Sequence, residues 1–114
     1  MISHVLLVIL LAAPAPVSSA ANPSQARKAL ASCLNDAVKT DLEARTEPPA
    51  FQAKLAALCA SEKSAYRAAS VAADVAGGIK RAAAEQNASM DLDDVVSSTS
   101  DRYKDFFETN TKPR

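Results

Sequence analysis

The stretch from Cys33 to Cys59, CLNDAVKTDLEARTEPPAFQAKLAALC, decides the architecture that the sequence predicts. On both sides of Pro48-Pro49, apolar residues recur at the three- and four-residue spacing of an amphipathic helix. The proline pair separates the two patterns, since proline disfavours helical geometry in the residue before it and fits the first turn of the helix that follows. The stretch therefore predicts two helices that fold back on each other, with one cysteine in each.

The two cysteines are predicted to lie level with each other across this hairpin. Cys33 is twelve residues before the expected helix end near Arg45, and Cys59 is ten residues after Pro49. At 1.5 Å per residue, they lie about 18 and 15 Å from the turn, and both are on apolar faces. We interpret the pair as a disulfide that stabilises the fold by roughly 3.5 kcal/mol. Two buried free thiols are the alternative.

The N-terminal segment has the pattern of a secretory signal peptide. No Lys, Arg, Asp or Glu precedes Arg27, and Val5–Ala13 is an apolar run of nine residues. Small residues follow it, which predicts cleavage after Ala20 or Ala21. A membrane anchor is the rival interpretation, but a span needs about 20 apolar residues. We expect residues 1–20 to be removed, no stable membrane span to remain, and the protein to be exported to the periplasm or the extracellular space, where disulfides persist.

Three helices are predicted in a single domain at residues 21–108, followed by a flexible tail at residues 109–114. They begin near Asn22-Pro23, at Pro49 and near Asp91, and they end near Arg45, Ala84 and Glu108. Gly77-Gly78 lies inside the second pattern, and glycine costs up to about 1 kcal/mol against alanine in a helix. A kink is expected there, with a true break as the alternative.

The fold class predicted by these patterns is all-α, because no stretch shows the alternation of a half-buried strand. The expected architecture is a disulfide-stapled helical hairpin with a long second helix and a third, C-terminal helix packed on it. Asn87-Ala88-Ser89 matches an N-glycosylation acceptor in a predicted loop. Lys80-Arg81 is interpreted as solvated helix surface.

The sequence offers no recognisable catalytic, cofactor or metal chemistry. The single histidine, His4, lies in the predicted signal peptide, so the mature chain lacks the commonest general base. Two cysteines cannot fill a four-ligand structural zinc site. The acidic pair Asp41 and Glu43, and the acidic residues that follow Met90, are interpreted as capping or solvated groups. We therefore predict no catalytic, metal-binding or cofactor-binding residues, no cofactor, and no enzyme.

The charge balance argues against nucleic acid as a partner. Thirteen basic residues balance thirteen acidic ones, so the formal net charge is zero. A neutral chain has no general attraction to phosphate backbones, and a chain without tryptophan offers few platforms for base stacking.

The candidate interaction surface combines a ridge of small residues on the second predicted helix with the aromatic face of the third. Small side chains let another helix approach closely, whereas core packing is the competing interpretation of the aromatic residues. The candidate residues are Tyr66, Ala69, Ala72, Ala76, Tyr103, Phe106 and Phe107.

The predicted function is that of a small exported, non-enzymatic binding module. Its partner would be an unknown protein, an envelope component or a second copy of the chain. The alternative is a small-molecule or lipid carrier whose pocket lies between the hairpin and the third helix. Such a pocket would be lined by Leu58, Tyr66 and Phe106.

Overall fold

The computed structural model describes residues 22–114, which form four α-helices and no strand. The predicted signal peptide and both candidate cleavage positions lie outside this range. The all-α class is confirmed. The helices are α1 (Pro23–Glu43), α2 (Pro48–Leu55), α3 (Ala60–Ala76) and α4 (Arg81–Thr109).

The predicted start of α1 is confirmed, and its cause is local. The Asn22 side-chain oxygen accepts a hydrogen bond from the Gln25 backbone N–H at 2.8 Å, and Pro23 occupies the first helical position. The helix ends at Glu43, two residues before the expected position. The chain then turns through Arg45, whose φ of 54° is left-handed, and α2 begins at Pro48.

The long second helix expected from Pro49 is divided into α2 and α3. The chain bends at residues 56–59, where Cys59 has a φ of 57° and a ψ of 38°. This left-handed conformation cannot continue a right-handed helix. The Lys63 ammonium group donates hydrogen bonds to the carbonyl oxygens of Leu55 and Ala56, and so satisfies the open C-terminal end of α2.

The glycine pair forms a true break, which is the alternative that the sequence left open. Gly78 has a φ of 97°, and the N–H groups of Gly78 and Ile79 donate to the carbonyl oxygens of Val75 and Asp74. These bonds form the Schellman motif that ends α3. As a result, α4 begins at Arg81 rather than near Asp91.

The predicted packing is confirmed: α4 lies against α3, and α1 lies against α3. α2 and α1 also contact α4. The main core has its largest fully buried side chains at Tyr103, Phe51, Leu30, Leu55 and Val38.

A second, smaller cluster lies where α3 and α4 meet near the glycine turn. It consists of Val71, Ala84 and Ala88, with Val75 packed against them. These are small side chains, so the end of the α3–α4 pair near the glycine turn buries less apolar area than the main core does. No helix in residues 22–114 combines the length and the apolar character that a membrane crossing needs.

Candidate functional site

The structure divides the predicted interaction residues between the core and the surface. Tyr66, Ala69 and Tyr103 are buried, so the core interpretation is the correct one for these three and they are not an open surface. Phe106 and Phe107 are half-buried against the main core, whereas Ala72 and Ala76 are exposed on α3. The seven residues therefore do not form one continuous patch.

Tyr103 joins α4 to the turn between α1 and α2. Its ring stacks on that of Phe51, with 3.9 Å between the ring centroids, and its hydroxyl donates to the carbonyl oxygen of Thr46. Burial raises the pKa of the Tyr103 hydroxyl, and the negative charge of Asp41 raises it further. These contacts make Tyr103 a structural anchor.

Asp41 lies beneath the same turn, although the sequence suggested a solvated or capping carboxylate. Its side chain accepts hydrogen bonds from the Thr46 hydroxyl at 2.8 Å and from the Lys54 ammonium at 2.7 Å. Asp41 is 5% exposed, and the Lys54 side chain is about half exposed. Both donors are contributed by the chain itself, so the carboxylate holds the turn and is not presented to a ligand.

The predicted disulfide between Cys33 and Cys59 is confirmed. The Cα atoms are 6.0 Å apart, and the bond ties the middle of α1 to the start of α3. A Glu62 carboxylate oxygen lies within 4.8 Å of the two sulfur atoms. Because the sulfurs are bonded to each other, they provide no thiolate to a metal ion, and the pair belongs to the scaffold.

A groove between α1 and α4, to which Tyr66 of α3 also contributes, is the candidate binding site. We call it the α1–α4 groove. Its volume is about 280 Å³. It is lined by Arg27, Leu30, Ala31, Leu34, Tyr66, Asp91, Asp94, Val95, Ser98, Thr99 and Arg102.

The charges around this groove have both signs. Arg27, Asp91, Asp94 and Arg102 are all exposed, and within residues 22–114 none of the four takes part in an ion pair. Arg102 follows Asp94 by eight residues on α4, which corresponds to about 12 Å along the helix axis. The groove therefore has an acidic section and a basic section along α4, above a floor that includes Leu30 and Leu34.

A second cavity, of about 440 Å³, lies between the end of α1 and the C-terminal tail. One of the cations that line it is already engaged: the Arg45 guanidinium lies over the Phe107 ring at 4.3 Å and donates to the side-chain oxygen of Asn110. These contacts connect the ends of α1 and α4. They explain this cavity as a junction in the scaffold.

The N-glycosylation tripeptide lies inside α4, although the sequence predicted a loop. Asn87 is half-buried, and its amide nitrogen donates to the Asp74 carboxylate across the contact with α3, at 3.4 Å. Ser89 accepts a hydrogen bond from Arg67 on α3. In the folded protein, the tripeptide is therefore part of the α3–α4 contact.

Comparison with known proteins finds no family model, curated protein or solved structure that matches the chain. The class defined by the fold and the groove is that of a small, disulfide-bonded helical protein with an amphipathic groove between α1 and α4.

Proposed function

We propose that the protein is an exported, non-enzymatic binding module, and that the α1–α4 groove binds an extended segment of a partner protein or of an envelope component. The observation that carries the proposal is the combination of an apolar floor with charged side chains of both signs that lack ion-pair partners among the described residues. This arrangement is complementary to a segment that carries apolar and charged side chains together.

The dimensions of the groove favour an extended segment over an enclosed ligand. Small-molecule pockets usually have volumes of about 300 to 1,000 Å³ and bury most of the ligand, and this groove is smaller and open to solvent along one side. From Asp91 to Arg102 it follows α4 for about 16 Å. That length accommodates about five residues of extended chain at 3.3 Å each.

The charges define the expected orientation of the bound segment. Along α4, Asp91 and Asp94 would favour a cationic side chain and Arg102 an acidic one. Arg27 on α1 offers a second position for an acidic side chain, and apolar side chains would contact Leu30 and Leu34. Charge complementarity of this kind favours one partner over others and accelerates encounter.

Export is supported by the disulfide and by the N-terminal pattern. A disulfide in a small domain is typical of oxidising compartments such as the periplasm and the extracellular space. The apolar run at residues 5–13, followed by small residues, is typical of a signal peptide. The proposal that the protein is not an enzyme is supported by the lack of histidine in residues 22–114 and by the engagement of the buried Asp41.

A small-molecule carrier is the second candidate, because Tyr66 lines the groove as that alternative expected. Leu58 and Phe106 do not line it. The ligand would be an amphipathic molecule with charged groups of both signs, and it would remain bound during purification. Native mass spectrometry of the purified protein would then show the added mass of the molecule.

The test of the main proposal is selection from a random peptide library displayed on phage, followed by NMR with a selected peptide. Selected peptides should carry a basic residue and an acidic residue separated by apolar ones. Chemical shifts should change at residues 27–34 and 91–102. Arg102→Glu should weaken binding, whereas Lys104→Glu, an equal charge change on an exposed position of the same helix outside the groove, should not.

Two outcomes would contradict the proposal. Peptide-induced shifts confined to the tail cavity or to the turn at residues 77–80 would place binding elsewhere. Equal effects of Arg102→Glu and Lys104→Glu would show that general charge, rather than the groove, governs binding. A second copy of the chain as the partner would give concentration-dependent oligomers that Arg102→Glu disrupts.

A further inference from the structure

We propose that the tip of the α3–α4 hairpin is a processing site for an endoprotease that is specific for lysine or arginine and acts on the exported protein. The tip is the segment Gly77-Gly78-Ile79-Lys80-Arg81. The sequence interpretation treated its basic pair only as solvated surface. The structure instead puts the pair at the turn between two helices, which is the kind of place where proteolytic nicking concentrates.

The side chains of the tip are accessible. All five residues are exposed, and Ile79 is one of two large apolar side chains in the described range that are substantially exposed, at 40%. Neither Lys80 nor Arg81 makes a side-chain hydrogen bond or an ion pair with residues 22–114. A protease can therefore bind either basic side chain without first breaking a side-chain contact.

The tip lies over little packed apolar surface, although its backbone is hydrogen-bonded: the N–H groups of Gly78 and Ile79 donate to Val75 and Asp74, and the Ala84 N–H donates to the Lys80 carbonyl oxygen. Lys80 occupies the N-cap position of α4 and provides no side-chain cap, so the first N–H groups of the helix have no partner from that side chain. The cluster beneath the tip contains only Val71, Ala84 and Ala88 as buried residues. Local opening of such a segment requires less free energy than global unfolding, because little apolar area is exposed.

The other basic residues in turns or at helix ends are restrained by contacts. Arg45 lies over Phe107, Lys54 binds Asp41, and Lys63 binds backbone carbonyl oxygens of Leu55 and Ala56. Most of the remaining basic residues lie deeper within helices than Arg81, which is the first residue of α4. Lys112 lies in the tail and is followed by Pro113, whose ring replaces the backbone N–H at the bond that would be cut. The tip is therefore the interior turn where two exposed basic side chains without partners among residues 22–114 lie at a helix boundary, above a small apolar cluster.

The reaction is hydrolysis of the bond between Lys80 and Arg81 or between Arg81 and Ala82. The C–N bond breaks as one water molecule is added: the carbonyl carbon becomes a carboxylate on the N-terminal piece, and the nitrogen becomes the amino group of the C-terminal piece. No oxidant or reductant is involved. Cys33 and Cys59 both lie in the N-terminal piece, so the disulfide does not link the two products.

After the cut, α4 is held only by non-covalent contacts, which include its packing on α3, the stacking of the buried Tyr103 on Phe51 and the Tyr103 hydrogen bond to Thr46. We expect a nicked protein that remains folded but can release α4. Release would also remove one wall of the α1–α4 groove; that consequence rests on the proposed function, whereas the cleavage itself does not.

The test begins with limited digestion of the disulfide-intact protein by trypsin, with the products read by mass spectrometry. The first interior cut should give a fragment that begins at Arg81 or Ala82, and gel filtration should show that the pieces remain together. A variant with Lys80→Gln and Arg81→Gln should lose this early cut. A control with Lys28→Gln and Lys104→Gln, which also removes two exposed basic side chains, should be cut as the wild type is.

A first interior cut at Arg45 would overturn the proposal. A tip variant that is first cleaved at the same rate as the wild type would overturn it as well. The protein recovered from its own source should include a chain that begins at Arg81 or Ala82, and recovery of the uncut chain alone would overturn the processing role. Peptide binding by the uncut protein does not depend on either result, so failure here is distinguishable from failure of the proposed function.

Discussion

Removal of a single oxygen atom, in Tyr103→Phe, should lower the free energy of unfolding by about 1 to 2 kcal/mol. Tyr103 is 0% exposed, and its hydroxyl donates to the Thr46 carbonyl oxygen. Phenylalanine keeps the ring and its stacking on Phe51, so the loss is limited to the hydrogen bond. The expected cost combines that bond with the penalty for leaving a partly buried carbonyl oxygen without this donor.

The same substitution should change how stability depends on pH. Burial, and after it the charge of Asp41, raises the pKa of the Tyr103 hydroxyl above its usual 10.0. An unfolded tyrosine begins to release its proton near pH 10 while the folded one still holds it, so the folded state binds more protons in this range. The contribution of Tyr103 is therefore complete below about pH 10 and is lost as the pH rises above it. The Tyr103→Phe variant has no hydroxyl at this position and lacks this loss. The difference in the free energy of unfolding between the variant and the wild type should therefore become smaller above about pH 10.

Urea unfolding followed by far-UV circular dichroism, at neutral pH and at about pH 9 to 11, measures the loss of stability and its dependence on pH. An unchanged denaturant slope would show that only stability has changed. Tyr66→Phe is the matched control: Tyr66 is also buried, but its hydroxyl makes no hydrogen bond to the described residues. We expect the control to remain within about 0.5 kcal/mol of the wild type. Equal shifts in the two variants, or a pH-independent difference for Tyr103→Phe, would refute the reasoning.

Two further predictions concern the covalent and conformational restraints. Replacing Cys33 and Cys59 together by alanine should cost roughly 3.5 kcal/mol, since the closed loop has a sequence separation of 26; an unchanged urea midpoint would contradict this. Gly78→Ala should cost about 1 to 2 kcal/mol because φ is 97° there. Gly77→Ala, where the new Cβ would meet its nearest atoms at 3.5 Å, should be neutral or stabilise by up to about 1 kcal/mol. Thermal unfolding of both glycine variants checks the contrast, and equal effects would argue against it.

Features that depend on neighbouring residues could be predicted from the sequence. Asn22 and Pro23 determine the start of α1, and the proline pair at residues 48 and 49 determines the start of α2, because capping and the fixed φ of proline act within one helical turn. The Cys33–Cys59 pairing was predicted correctly because both cysteines lie on apolar faces that pack together, although the continuous helical rise from Pro49 to Cys59 is not realised, since α2 ends at Leu55.

The division between α2 and α3 could not be predicted in the same way. The apolar pattern continues through residues 56–59 with no proline or glycine, although the charge at Glu62 interrupts it soon afterwards. Cys59 adopts a left-handed conformation while it is bonded to Cys33 and while α3 packs on α1. Both contacts involve residues far away in the sequence, so local spacing carries no signal for them.

The candidate site, the α1–α4 groove, could also be predicted only in part from local sequence patterns. The sequence predicts Tyr66 as a pocket residue of the small-molecule alternative, whereas no local pattern distinguishes Arg27 or Arg102 from solvated surface, and the position of Asp91 favours capping. Residues 27–34 and 91–102 become one site only because two helices from opposite ends of the described chain lie side by side.

The sequence by itself determined the all-α class and the first two helix starts, since near-neighbour sterics and capping are sufficient for these, and it indicated the covalent link without the path of the chain between the two cysteines. The tertiary structure alone decided that Tyr66 and Tyr103 are buried, that Asp41 is enclosed by Thr46 and Lys54, and that four charged side chains surround one groove. Burial and charge pairing depend on which helices meet, and this follows from the packing of the whole chain rather than from any local pattern.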